Sequence, residues 1–244
     1  LSRGPVRILS IAPYPAHYDS IRLAERIPAE IVAVRLGSAA LQAEFHRKAF
    51  YWKQYQVTER EMEQDALAAL EGRSDILLMS YYPDWEVFPQ AVREGIAAKL
   101  EAGTPLVVFG RSDTFWSGLE ARMGPREKAE LDLDRFPAIP DPKPLRPAYY
   151  RVGPATVADF GHVIDNRKGY LASESEVPLE SEYKLSRVAA LIYKLAKGAE
   201  QGAITGISVA DDAGICRVEL REAPAGAEVQ FTVRDEELGV VHTG

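Results

Sequence analysis

Three clusters of residues in this chain have types and spacing suited to chemistry. His17, Tyr18 and Asp19 follow a short apolar run that stops at Pro13; Tyr81, Tyr82, Asp84 and Trp85 follow a second; Arg111, Ser112, Asp113 and Trp116 follow a third. Ring faces cover the C–H patches of a sugar or another polar small molecule, while carboxylates and guanidinium groups bind its hydroxyls. His17, Tyr18, Asp19, Tyr82, Asp84, Trp85, Arg111, Asp113 and Trp116 are therefore the ligand-binding candidates. The competing use of the same aromatics is packing against the proline-rich stretch that follows.

The sharpest local pattern is Gly110-Arg111-Ser112-Asp113, directly after the apolar run that begins at Pro105. A strand that turns tightly into a helix exposes a nucleophile at the turn, where the amides of the first helical turn stabilise developing negative charge. On that reading Ser112 is the nucleophile, His162 or His17 the general base, and the amides after Gly110 the oxyanion donors of an ester or amide hydrolase. Ser112 also suits a helix cap or turn residue. His17 and Asp19 offer two metal ligands without a third, so no metal site is expected, and no cofactor motif is present. Cys216 alternates with Val218 and Leu220 and reads as a small buried hydrophobe rather than a reactive thiol. His46 and His242 belong to no constellation. The run Glu59, Arg60, Glu61, Glu63, Asp65 reads as the wet face of a helix.

The elements that must carry these clusters alternate. Val6 to Ala12, Glu30 to Leu36, Asp75 to Ser80 and Pro105 to Gly110 are short apolar runs bounded by turn signals, as buried parallel strands are. Between them, Asp19 caps a helix through Ile27 that Pro28 ends. Thr58 and Glu61 form a capping box ahead of Met62, Ala66, Leu67 and Leu70, predicting a helix over 59–71. Phe88, Ala91, Val92, Ile96 and Leu100 stripe another helix, which Gly103 closes as the C′ residue. Parallel neighbours need crossovers, so the alternation predicts a flavodoxin-like, doubly wound, mainly parallel sheet. In such sheets ligands bind beyond the carboxyl ends of the strands, where all three clusters fall. Residues 38–57 resist assignment. Six prolines between Pro125 and Pro147 allow at most a short helix near 125–133 before an extended loop, and 149–165 reads as two strands around Phe160 and Gly161. Leu185, Val188, Ala189, Ile192 and Leu195 mark an amphipathic helix ending at Gly198.

Read from Thr104, the order Thr-Pro, then Leu106, Val107, Val108, Phe109, Gly110, Arg111, Ser112, resembles the class I glutamine-amidotransferase-like superfamily, whose strand of this kind leads to Gly-x-Cys at a nucleophile elbow. Ser112 stands where that cysteine belongs. The segment from Asp75 through Gly103 is similar to the noncatalytic branches, including trehalose-utilisation-like proteins and the β-galactosidase trimerisation domain, and the resemblance covers about 6–198. Asp113 or Thr114 replaces the second glycine, and His-Pro-Glu is absent downstream. Glutamine hydrolysis needs a thiolate activated by histidine, so glutaminase activity is not expected. The resemblance implies a noncatalytic or accessory domain that binds a small polar ligand, carbohydrate among the candidates, or mediates assembly.

Beyond Ala203 the hydrophobic period changes from 3.6 to 2. Cys216, Val218 and Leu220 alternate with charged residues, as do Val229, Phe231 and Val233 with polar ones, predicting a small antiparallel meander of about four strands. The expected domains are 1–200, α/β, and 201–244, an antiparallel β appendage. Four short strands bury too little apolar area by themselves, so a homo-oligomer or further domains of a longer chain are the expected partners. With 29 Lys and Arg against 36 Asp and Glu in 244 residues, the net charge of −7 disfavours a nucleic-acid partner. No apolar run reaches the ~18 residues of a membrane span. The start at Leu1 lacks a charged-then-apolar leader, which leads to a cytoplasmic expectation and is compatible with an excerpt of a longer polypeptide.

Overall fold

A computed structural model of the chain describes residues 5–12, 17–35, 59–80, 85–109, 114–131, 146–161, 178–197, 203–210, 215–221, 232–235 and 239–243. They fall into two compact units, one carrying a seven-stranded sheet with its helices, the other four short strands.

The first unit follows the alternation of the sequence. Strands β1 (Val6–Ala12), β2 (Ala29–Arg35), β3 (Ile76–Ser80) and β4 (Leu106–Phe109) are joined by helices α1 (His17–Ala24), α2 (Glu59–Glu71) and α3 (Gln90–Glu101). Helix α4 (Thr114–Met123) follows, then β5 (Glu127–Ala129), β6 (Ala148–Val152), β7 (Ala155–Asp159) and α5 (Pro178–Lys197). The sheet order is β2-β1-β3-β4-β7-β6-β5. The first five of these are parallel, and β6 and β5 extend the sheet antiparallel. The result is a mixed α/β fold with a mostly parallel sheet.

Helices cover both faces because both faces are apolar. Leu9, Ile11, Leu77, Met79, Leu106, Val108 and Val157 meet Leu70 of α2, Val92 and Ile96 of α3, and Phe115 and Leu119 of α4. Ile8, Ile76, Leu78, Val107, Phe109 and Ala158 meet Leu23 of α1 and Leu185, Val188 and Ile192 of α5. With only eight residues, α1 is too short to be stable alone. Burial of Leu23 and a 2.6 Å hydrogen bond between the buried hydroxyls of Ser10 and Ser20 hold it to β1.

Local chemistry sets the boundaries. Helix α1 begins at His17, which puts Asp19 inside its first turn rather than at the cap, and stops at Ala24 instead of Ile27. Its last turn tightens as the Arg26 amide bonds to the Leu23 carbonyl, and Pro28 disfavours helical backbone at Ile27. Helix α3 closes in a Schellman motif: Gly103, at φ +85°, donates to the Leu100 carbonyl at 2.9 Å and Thr104 to that of Lys99 at 3.0 Å.

Three expectations are corrected. The helix placed near 125–133 lies instead at 114–123, where Phe115, Trp116 and Leu119 supply the buried side, and β5 occupies 127–129. The hairpin turns at Gly153-Pro154, not at Phe160-Gly161, since Val152 pairs with Ala155. Gly153 takes φ +56° and Pro154 is confined to negative φ, the combination of a II′ turn, whose twist matches the flanking strands. In the second unit, β8 (Ala203–Ala210) pairs with β9 (Ile215–Arg221) and β10 (Thr232–Asp235) with β11 (Gly239–Thr243), giving two separate two-stranded ribbons among the described residues instead of one meander.

The amino-terminal edge of the parallel strands is pinned by charge. Asp75 Oδ2 accepts from the Arg7 amide at 3.0 Å and from Lys197 Nζ at 3.1 Å, and Lys197 also reaches the Pro5 carbonyl. Burial alone would raise the Asp75 carboxyl, but the Arg7 amide, Lys197 and Arg73 outweigh it and hold the carboxyl below its ordinary value.

Candidate functional site

Because β1, β3, β4 and β7 are parallel, their carboxyl ends, at Ala12, Ser80, Phe109 and Asp159, share one edge. The winding reverses between β1 and β3, since β2 lies to one side of β1 and β3 and β4 lie to the other. The three clusters read from the sequence follow the ends of β1, β3 and β4 in the chain. His17, Tyr18 and Asp19 form the first turn of α1, although their side chains lie outside the described residues. Tyr82, Asp84, Arg111, Ser112, Asp113 and His162 also lie outside them.

Trp85 and Trp116 are core residues. Trp85 opens a single helical turn after β3 and is 3% exposed. Its ring meets Phe88 and Phe115 edge-on, each at 5.7 Å, and rests on α4 at Gly118, the position without a side chain to block it. Trp116 is 4% exposed and meets Phe115 at 5.4 Å and Tyr150 of β6 at 5.0 Å. Neither ring offers an open face for stacking a ligand. Trp85 joins its helical turn to α4, and Trp116 joins α4 to β6.

Among the described residues, the buried carboxylate at this edge is Asp159, which sequence reasoning missed. Its carboxylate is 4% exposed; Oδ2 accepts from Trp116 Nε1 at 2.9 Å and Oδ1 from the Gly161 amide at 2.7 Å. A buried charge needs such donors, because leaving water without them is costly. Beside it, the Arg126 guanidinium lies 4.3 Å over the Trp116 ring and 5.0 Å from that of Tyr150, and pairs with Glu120 at 3.1 Å. The only sequence signal was a carboxylate at the end of the apolar strand Ala-Thr-Val-Ala-Asp, a polar residue where a buried face was due.

Among the described residues no three His, Cys, Asp or Glu side chains converge as a metal site, and no helix is long and apolar enough to cross a membrane. No known family matches the chain, and no curated protein matches it in sequence.

Proposed function

We propose that the first unit is a flavodoxin-like, glutamine-amidotransferase-like domain of the noncatalytic kind, which binds a small polar ligand at the carboxyl edge of its parallel strands. The observation that carries this reading is the strand order β2-β1-β3-β4-β7, with its reversal between β1 and β3. A sheet wound in this order leaves a crevice at the reversal point, where the flanking helices diverge to opposite faces. In the sequence, the stretches that follow β1, β3 and β4 carry His17, Tyr18, Asp19, Tyr82, Asp84, Arg111 and Asp113, a set rich in hydroxyl-binding groups. Ser112 stands in the sequence where the resembled superfamily has its thiol, which favours binding over glutamine hydrolysis. Carbohydrate is the favoured ligand class because tyrosine rings and carboxylates stand together in these segments.

A thermal-shift screen of sugars and other polar metabolites, paired with a glycan array, tests the reading. A ligand at 100 times its Kd stabilises by about 2.7 kcal/mol, which for a unit of this size raises the melting midpoint by about 5–10 °C. Shifts with other metabolites and none with sugars would remove carbohydrate. No shift with either class would overturn ligand binding at this edge.

A further inference from the structure

At the edge where β4 and β7 end, one carboxylate grips both neighbouring segments. Trp116, whose Nε1–H reaches Asp159 Oδ2, is the third residue of α4 and stands four residues after Ser112. Gly161, whose amide reaches Oδ1, immediately precedes His162. We infer that Asp159 is the positioning residue of this edge, tying the first turn of α4 to the exit of β7 so that Trp116 and Gly161, one on each segment, are held in one fixed relation. The inference rests on the reading of this edge as the ligand site, and it assigns that site its brace.

Three features make the carboxylate a brace rather than a passive acceptor. An ionised carboxylate can serve both donors at once, one on each oxygen, whereas an amide has a single acceptor oxygen. The Trp116 ring is not free to pivot away from it, being covered by Arg126 and flanked by Phe115 and Tyr150. Gly161 donates its amide to Asp159 and itself adopts φ +61°, a backbone that favours glycine. A β-carbon at Gly161 would meet nothing within 4 Å, so the glycine serves the turn and not a close approach.

The test is nuclear magnetic resonance of the full chain without ligand, following hydrogen exchange at the Trp116 indole N–H and the Gly161 amide. Asp159→Asn should speed exchange at least 10-fold at one of the two, Asp159→Ala at both. Trp116→Phe keeps the carboxylate and removes one donor; if the brace couples its ends, Gly161 exchange rises at least 10-fold there too. The indole resonance, assigned by its loss in Trp116→Phe, should also move upfield in Asp159→Asn. Wild-type Gly161 exchange in Trp116→Phe would overturn the inference, leaving Asp159 to close only its own turn. Should Asp159→Ala fail to fold, Trp116→Phe carries the decision alone, since it replaces one ring by another. A ligand screen without hits would retire the binding reading and leave these exchange rates as they are, so the two failures are distinguishable.

Discussion

Replacing Gly118 by alanine should destabilise the first unit, against the direction that helix propensity sets. On an open helix the change would favour folding by about 1 kcal/mol. Here a β-carbon at Gly118 would lie 2.6 Å from both Cβ and Cγ of Trp85 and closer still to Cδ1. Overpacking of a filled core costs about 1–3 kcal/mol. The upper end applies, because one of the obstructing atoms is the Trp85 Cβ, which cannot swing aside by a rotamer change, and Phe88 and Phe115 block the ring. The net expectation is a loss of about 2 kcal/mol, a fall of about 4–8 °C in melting midpoint for a unit of roughly 200 residues. Urea unfolding should show a lower midpoint with an unchanged slope. In a Trp85→Ala background the penalty should shrink by about 1 kcal/mol or more, since contacting residues couple. Gly103→Ala is the contrast: nothing lies within 4 Å, so its cost of about 1–2 kcal/mol is that of positive φ alone and should not depend on Trp85. A Gly118→Ala chain as stable as the parent, or more so, would refute the packing described for α4.

Other predictions concern charge, chemistry and assembly. Asp75 has a depressed carboxyl in the folded chain, so its contribution is fully present above the unfolded value near 3.8 and is lost as pH falls through the lower folded value. Lys197→Met should cost about 1–2 kcal/mol at neutral pH and flatten the acid limb of a stability-versus-pH curve; an unaltered acid limb would remove Lys197 from the account. Ser112 should not react with a fluorophosphonate probe and the purified chain should release no ammonia from glutamine, whereas labelling abolished by Ser112→Ala would install the hydrolase reading instead. Light scattering should report a homo-oligomer for the full chain and a smaller species for a chain ending near Glu200; a monomer, or an assembly indifferent to that truncation, would separate the β appendage from self-association.

Where hydrophobic period and end signals agreed, the fold was legible in the sequence. Helix α2 spans Glu59–Glu71, the limits expected from the capping-box pattern and the apolar stripe in the sequence. Strands β3 and β4 match within a residue because short apolar runs between turns have few alternatives. Helix α4 escaped because Phe115, Trp116 and Leu119 are too few to make a stripe, and its partners Trp85, Tyr150 and Asp159 come from the helical turn after β3, from β6 and from β7. The hairpin was misplaced because Phe160-Gly161 looks like a turn, yet Phe160 stacks on Phe109 at 4.6 Å and its amide bonds to Val108 as the sheet continues. Of the site, the edge could be inferred from the alternation of strands and helices. The burial of Trp85 and Trp116 could not, nor could the role of Asp159, whose contact with Trp116 spans 43 residues of chain. Such contacts are products of tertiary packing and leave no local period.

Strand β5 has a consequence for how the sheet ends. It has three residues, with Glu127 and Lys128 exposed, and Pro125 stands two residues before it without an amide hydrogen to offer. Glu127 stands opposite Arg151 in the ladder to β6, and an incoming strand would meet a border that carries Glu127 and Lys128. A long, flat, apolar border is a template for amyloid-like growth, and short, charged borders suppress it. Among the described residues the sheet therefore carries its own gatekeeper against aggregation on the β5 side, while its opposite border is the seven-residue β2, with Val32 more than half exposed.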